Sequence, residues 1–128
     1  MSLNHDHAVD LTAAFATFSE PFAPRRVAHV DDFVVKIVRV LGEFVWHAHE
    51  ATDELFLVHQ GSMEICYRDR TVPLGPGQLH VVPRGVEHRT RATSECLAVI
   101  FERATTVNTG DAEESAQTAH EEPFVTGA

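Results

Sequence analysis

Two histidines separated by one alanine, His47 and His49, stand in a chain whose apolar runs are short and repeatedly cut by glycine and proline. On a β-strand, residues i and i+2 share a face, so both imidazoles can enter one cavity, whereas a helix would splay them apart. Glu54 opens the next apolar run and offers a hard oxygen donor from a neighbouring strand, and His88 offers a third nitrogen from a distant segment. Three imidazoles and one carboxylate suit a divalent metal and leave positions for water or substrate. A strand-borne histidine pair can also be no more than a polar edge, so the surrounding turns matter. Gly61 closes the run begun by Glu54, Pro76-Gly77 opens the strand before the second segment, and Pro83 with Gly85 forms the turn just ahead of His88.

The rest of the chain has the rhythm of short strands. Candidates run from Phe33 to Leu41, Phe44 to His49, Leu55 to Gln60, Ser62 to Arg68, Thr71 to Leu74, Leu79 to Val82, His88 to Ala92 and Cys96 to Glu102. This pattern predicts an all-β fold, an antiparallel β-sandwich or barrel. Ahead of it, Val9, Leu11, Ala14, Phe15 and Phe18 recur near helical spacing and predict a short N-terminal helix that Pro21 and Pro24 end. The expected organisation is an N-terminal helical arm (1–29), a barrel (30–104) and an acidic tail (105–128) that packs partly on the barrel through Val107 to Gly110 and Phe124-Val125.

These motifs resemble the two signature motifs of the cupins. The first is carried by Gly42, His47, His49, Glu54 and Gly61, the second by Gly77, Pro83, Gly85 and His88. Gly42 lies one residue closer to His47 than is usual, and Ala92 stands where the family often has Asn. The resemblance spans about Val30 to Glu102 and implies a jelly-roll barrel with His47, His49, Glu54 and His88 as metal ligands. Within the family, the segments Gly42 to Phe56, Val81 to His88 and Val107 to Asp111 are similar to small single-domain cupins often labelled mannose-6-phosphate-isomerase-like. That label follows barrel similarity and implies no particular activity.

A length of 128 residues suits one core and leaves no room for a second domain beside a barrel. The formal charge of -9 makes nucleic acid and anionic membranes poor partners. No stretch has the apolar length of a membrane span, and the N-terminus lacks the pattern of a signal peptide, so a cytoplasmic protein is expected. Cys66 and Cys96 read as reduced strand residues. If His47, His49 and Glu54 point inward, then Phe56 and Val58 do too, while Trp46, Leu55 and Leu57 face out. So apolar an outer face predicts a homodimer built on the outer sheet, or a cover by the N-terminal helix.

The ligand set accepts Zn, Mn, Fe, Ni or Cu. One reading is an enzyme acting on a small oxygenated metabolite, isomerising a sugar-like molecule or oxidising an enol or diol, with Tyr67 supplying a proton or hydrogen bond. The alternative is a non-catalytic protein that binds a small molecule with the metal's help. Few further polar groups are expected inside, with Lys36 or Arg39 facing in according to a parity that Gly42 interrupts. His29, His59, His80 and His120 read as surface or edge residues, and the spacing of His5 and His7 as a solvated feature of the N-terminal arm. Asp53 competes with Glu54 for the carboxylate role but has the wrong parity, and Glu87 should point away from the metal into a salt bridge.

Overall fold

The computed structural model describes residues 7–125. His5 lies outside them, and His7 is exposed. One helix, α1 (Leu11–Phe15), precedes seven strands: β1 (Arg25–Val30), β2 (Phe33–Glu43), β3 (Glu54–Gln60), β4 (Met63–Cys66), β5 (Thr71–Leu74), β6 (Leu79–Val82) and β7 (Arg89–Arg103). All ladders are antiparallel, in the order β1-β2-β7-β3-β6, with β4 pairing both β5 and β7. The result is a jelly-roll β-sandwich. No described helix is long and apolar enough to cross a membrane.

Strand β7 organises the whole. Two separate strands were expected, and the structure has one of 15 residues, because its polar middle, Thr93 to Glu95, continues the extended backbone that both halves share. Its first residues pair with β4, and its remainder lies between β2 and β3. The β2–β7 register shifts between Val40 and Gly42, where Gly42 takes a φ of 83°. That irregularity hid the parity of β2 from the sequence, and the fold resolves it: Val34, Lys36, Val38 and Val40 turn inward, whereas Arg39 turns outward.

Two apolar clusters follow from this alternation. The inner one joins Val38, Val40, Phe56, Val58, Ile65 and Ile100 among others, and the outer one joins Ala14, Phe15 and Phe18 to Val27, Ile37 and Val99. The helix is only one turn, shorter than the Val9 to Phe18 pattern, and Asp10 makes no side-chain cap. The Arg39 guanidinium takes the carbonyls of Phe15 and Phe18 at 2.7 and 2.9 Å, giving the end of the turn a partner outside the helix. The outward parity of Leu55 and Leu57 holds, but Leu57 packs on the helical cluster and Trp46 lies beneath the guanidinium groups of Arg68 and Arg89. Among the described residues the most exposed large apolar side chain is instead Leu79 of β6, at 57%, with Val81 of the same strand at 42%.

Candidate metal centre

His47, His49, Glu54 and His88 converge so that one donor atom of each lies within 4.8 Å of every other. All four are buried, His88 completely. The Phe44 to His49 segment, expected as a strand, forms only an isolated bridge in which His47 and His88 exchange backbone hydrogen bonds of 3.0 and 2.9 Å. Beyond the bridge the two segments share only single backbone bonds, from the Phe44 N–H to the Thr90 carbonyl and from the Gly85 N–H to the His49 carbonyl, both at 2.9 Å. The Ala48 N–H, which faces away from His88, is taken by the Asp111 carboxylate at 2.7 Å. The bridge still serves the site, since it sets the His47 and His88 rings 4.4 Å apart, with His49 4.8 Å from His47.

The tail holds this arrangement from outside. Asp111 returns its own N–H to the Ala48 carbonyl, and Gly110 lies so close that a Cβ there would stand 2.3 Å from that oxygen. Gly110 also has a φ of 52°, so any larger residue would strain the backbone and push the histidine pair aside.

Ring orientation follows from local hydrogen bonds. Nδ1 of His47 lies 2.8 Å from the Val45 carbonyl, and Nδ1 of His88 lies 2.9 Å from the Val86 carbonyl. A carbonyl can only accept, so each Nδ1 carries the proton and each Nε2 presents a lone pair to the interior. Glu54 Oε1 then sits 3.1 Å from His88 Nε2 and 3.3 Å from His49 Nε2. The His88 lone pair and the carboxylate oxygen repel without a cation between them, so the cluster calls for a shared proton or a metal. His49 Nε2 is fully buried and has no hydrogen-bond partner. The donor set and this orphaned nitrogen both fit a divalent ion.

Protonation agrees with ligand duty. Burial, reinforced by His88, lowers the pKa of His47 to about 4, so the ring is neutral at physiological pH. Burial pushes the Glu54 carboxyl up, yet the close approach of His49 and His88, favourable once a proton or cation is shared among them, outweighs it and holds the group well below the usual range.

A narrow cavity of about 30 Å³ adjoins the group, enough for a water or two. Its walls are mainly apolar, with His47 and Glu54 at one end and Thr90, Glu102 and Asn108 as the other polar groups. Glu102 and Asn108 were not among the residues expected to line the site. Glu102 was visible as a strand residue two steps beyond Ile100 and hence on the inner face; nothing local marked Asn108. Burial and the neighbouring Glu54 raise the Glu102 carboxyl well above its ordinary pKa. Lys36, fully buried, reaches Glu102 and Glu122 at 2.7 Å each.

The remaining candidates lie elsewhere. The Tyr67 hydroxyl is 2.7 Å from His80 Nε2, and the ring is not part of the cavity wall. Burial raises the Tyr67 pKa and lowers that of His80. His59 stacks on Phe15, Asp53 is exposed and accepts the Arg84 N–H, and Glu87 pairs with Arg68. Cys66 and Cys96 are buried and unpaired.

Comparison with known proteins agrees with this architecture. A cupin-2 domain protein of Shewanella frigidimarina is 40% identical and superposes with a TM-score of 0.74 over 75% of this chain and 94% of its own. A Neisseria meningitidis protein of known structure is 26% identical, with a TM-score of 0.70 over 77% of this chain and 100% of its own. Bacillus subtilis YdbB is 33% identical over 84 residues, 65% of this chain and 74% of that protein. The cupin domain model itself matches residues 34–102, which takes in both histidine segments and the whole ligand group, and the chain therefore belongs to the cupin family.

Proposed function

We propose that His47, His49, Glu54 and His88 hold one divalent metal and that the protein acts on a small oxygenated molecule entering the adjoining cavity. The observation that carries this is the convergence of four buried donors, with the His88 Nε2 lone pair turned to Glu54 Oε1 at 3.1 Å and His49 Nε2 buried at 3.3 Å from the same oxygen without hydrogen-bond geometry. Bound there, Zn, Mn, Fe or Ni would supply Lewis acidity toward a carbonyl or hydroxyl oxygen, or redox chemistry in the case of iron. The protein's own part is to keep the imidazoles neutral and aimed, and to exclude water with apolar walls. Isomerisation of a sugar-like molecule and oxidation of an enol or diol are the two reactions this supports. Tyr67 is proposed as a proton or hydrogen-bond donor that must first leave His80, and a Tyr67→Phe protein with unchanged turnover would remove it from the reaction.

The second reading, a non-catalytic metal-dependent binder, draws support from the scarcity of polar groups on the cavity wall. Elemental analysis of untagged protein, followed by a substrate screen with the native metal retained, separates the two. Iron with oxygen consumption supports the oxygenase, zinc or manganese with turnover the isomerase, and metal with saturable binding but no turnover the binder. Metal-free protein that takes up no divalent ion overturns the assignment.

We also propose a homodimer formed at the outer sheet, centred on the exposed Leu79 and Val81 of edge strand β6. Light scattering should give the mass of two chains, and Leu79→Asp with Val81→Asp should return one. The buried thiols of Cys66 and Cys96 suit the reducing cytoplasm.

A further inference from the structure

Most of the cavity wall is held by ladder hydrogen bonds: Val38 and Val40 on β2, Glu54 and Phe56 on β3, Ile100 and Glu102 on β7. Phe44 and His47, between β2 and β3, are tied by backbone hydrogen bonds to Thr90 and His88, and Phe22, Pro24 and Asn108 complete the wall from outside the strands, the first two between α1 and β1 and the third after β7. At its present size the space admits water and no metabolite, so a ligand must displace some of this wall. The strands cannot yield without breaking the sheet. The peripheral segments can.

Phe22 is the residue poised to move. It has a φ of 59°, a left-handed conformation costly for a bulky aromatic side chain. Two hydrogen bonds hold it there, from its N–H to the Arg39 carbonyl at 2.9 Å and from Asn108 Nδ2 to its own carbonyl at 3.3 Å. Asn108 does not depend on the second, since its amide also donates to Gln117 at 2.8 Å and accepts from the Ala119 N–H at 2.8 Å. The Phe22 ring lies 4.8 Å from the Phe44 ring, which meets the His47 ring in an edge-to-face arrangement at 5.3 Å. Withdrawing Phe22 would therefore uncover a flat aromatic surface beside a candidate metal ligand.

We infer that Phe22 selects the ligand of this site: its ring keeps the place of a small planar, unsaturated, oxygen-bearing molecule, which enters by displacing it and stacks on Phe44. The inference rests on the proposed metal site for the orientation of the ligand's oxygen, and on the cavity alone for its shape. Because the closed form must open first, the apparent affinity of the wild type is lowered by the fraction of molecules that are open.

The test has two arms. Phenol is titrated into metal-free protein while the methyl resonances of Val38, Val40 and Ile100 are followed by NMR. Phe22→Ala should bind phenol at least tenfold more tightly than wild type, with shifts centred on those methyls, whereas Leu79→Ala should match wild type. Phe22→Gly suits the positive φ and carries the same test if the alanine variant fails to fold. In the second arm, tropolone is mixed with cobalt-loaded protein and followed by visible absorption. The wild-type rate should level off with tropolone concentration because opening limits it, and the Phe22→Ala rate should rise linearly. Equal phenol affinity in wild type and the Phe22 variants overturns the inference. Failure of both proteins to take up cobalt overturns the metal site, while the phenol arm still decides the role of Phe22.

Discussion

Two buried polar clusters lie within one barrel and differ in where their positive charge comes from. Lys36, Glu102, Glu122 and Arg26 form the first, in which two cations contact two carboxyl groups at 2.7 to 3.2 Å. His47, His49, Glu54 and His88 form the second, in which at least one ring is neutral at physiological pH and no lysine or arginine reaches the carboxylate. The first cluster carries its own counter-charge and ties the tail to the barrel. The second gathers donors around a place where a cation would sit. Buried charge is costly unless matched, so what each cluster lacks or contains indicates its use.

The largest effect should come from removing the internal cation. Lys36→Met leaves Glu102 and Glu122 without their buried partner and should cost about 3 to 5 kcal/mol in denaturant unfolding, with partial recovery in Lys36→Met/Glu102→Gln. An unchanged unfolding midpoint would show that the first cluster does not depend on Lys36.

Next is acid sensitivity of the second cluster in metal-free protein. His47 has a pKa of about 4 in the fold against 6.5 ordinarily, so the unfolded chain binds the proton that the folded one refuses. Stability is therefore intact above pH 6.5 and lost as the pH falls from 6.5 toward 4, by about 3 kcal/mol at the lower end. His47→Gln should flatten that part of the stability–pH curve.

Metal supplies the third contrast. Addition of zinc at a hundredfold excess over its dissociation constant should stabilise wild type by about 2.7 kcal/mol and leave His88→Ala unaffected. Full occupancy in His88→Ala, measured by elemental analysis, would separate His88 from the site. The smallest effect is at the rim of the first cluster, where Arg26→Met removes a partly exposed partner of Glu122 and should cost about 1 kcal/mol.

Much of this was legible from local pattern. The alternation through Glu54, Phe56 and Val58 put those residues inward, and the turns at Gly61, Pro83 and Gly85 marked where strands end. Strand β1 was missed because Arg25 to Val30 follows two prolines and carries two arginines at its start, so its outline resembles the end of a linker. Its pairing with β2 is a tertiary event. The helix was over-read because five apolar residues at helical spacing pack equally well when only one turn is wound and Phe18 follows beyond the turn at Ala16 and Thr17.

By itself, the sequence determined which side chains could share a face and where the chain had to turn, because alternation and turn geometry act over a few residues. It thereby singled out His47, His49, Glu54 and His88 as a possible donor group and an antiparallel barrel as their frame. Only the tertiary structure decided that His47 would bridge to His88, that Lys36 rather than Arg39 would face inward, and that Phe22, Glu102 and Asn108 would close the cavity. Those outcomes depend on pairing between distant segments and on the register shift at Val40 and Gly42. A one-residue change there reverses every side chain beyond it, and no local signal fixes such a choice.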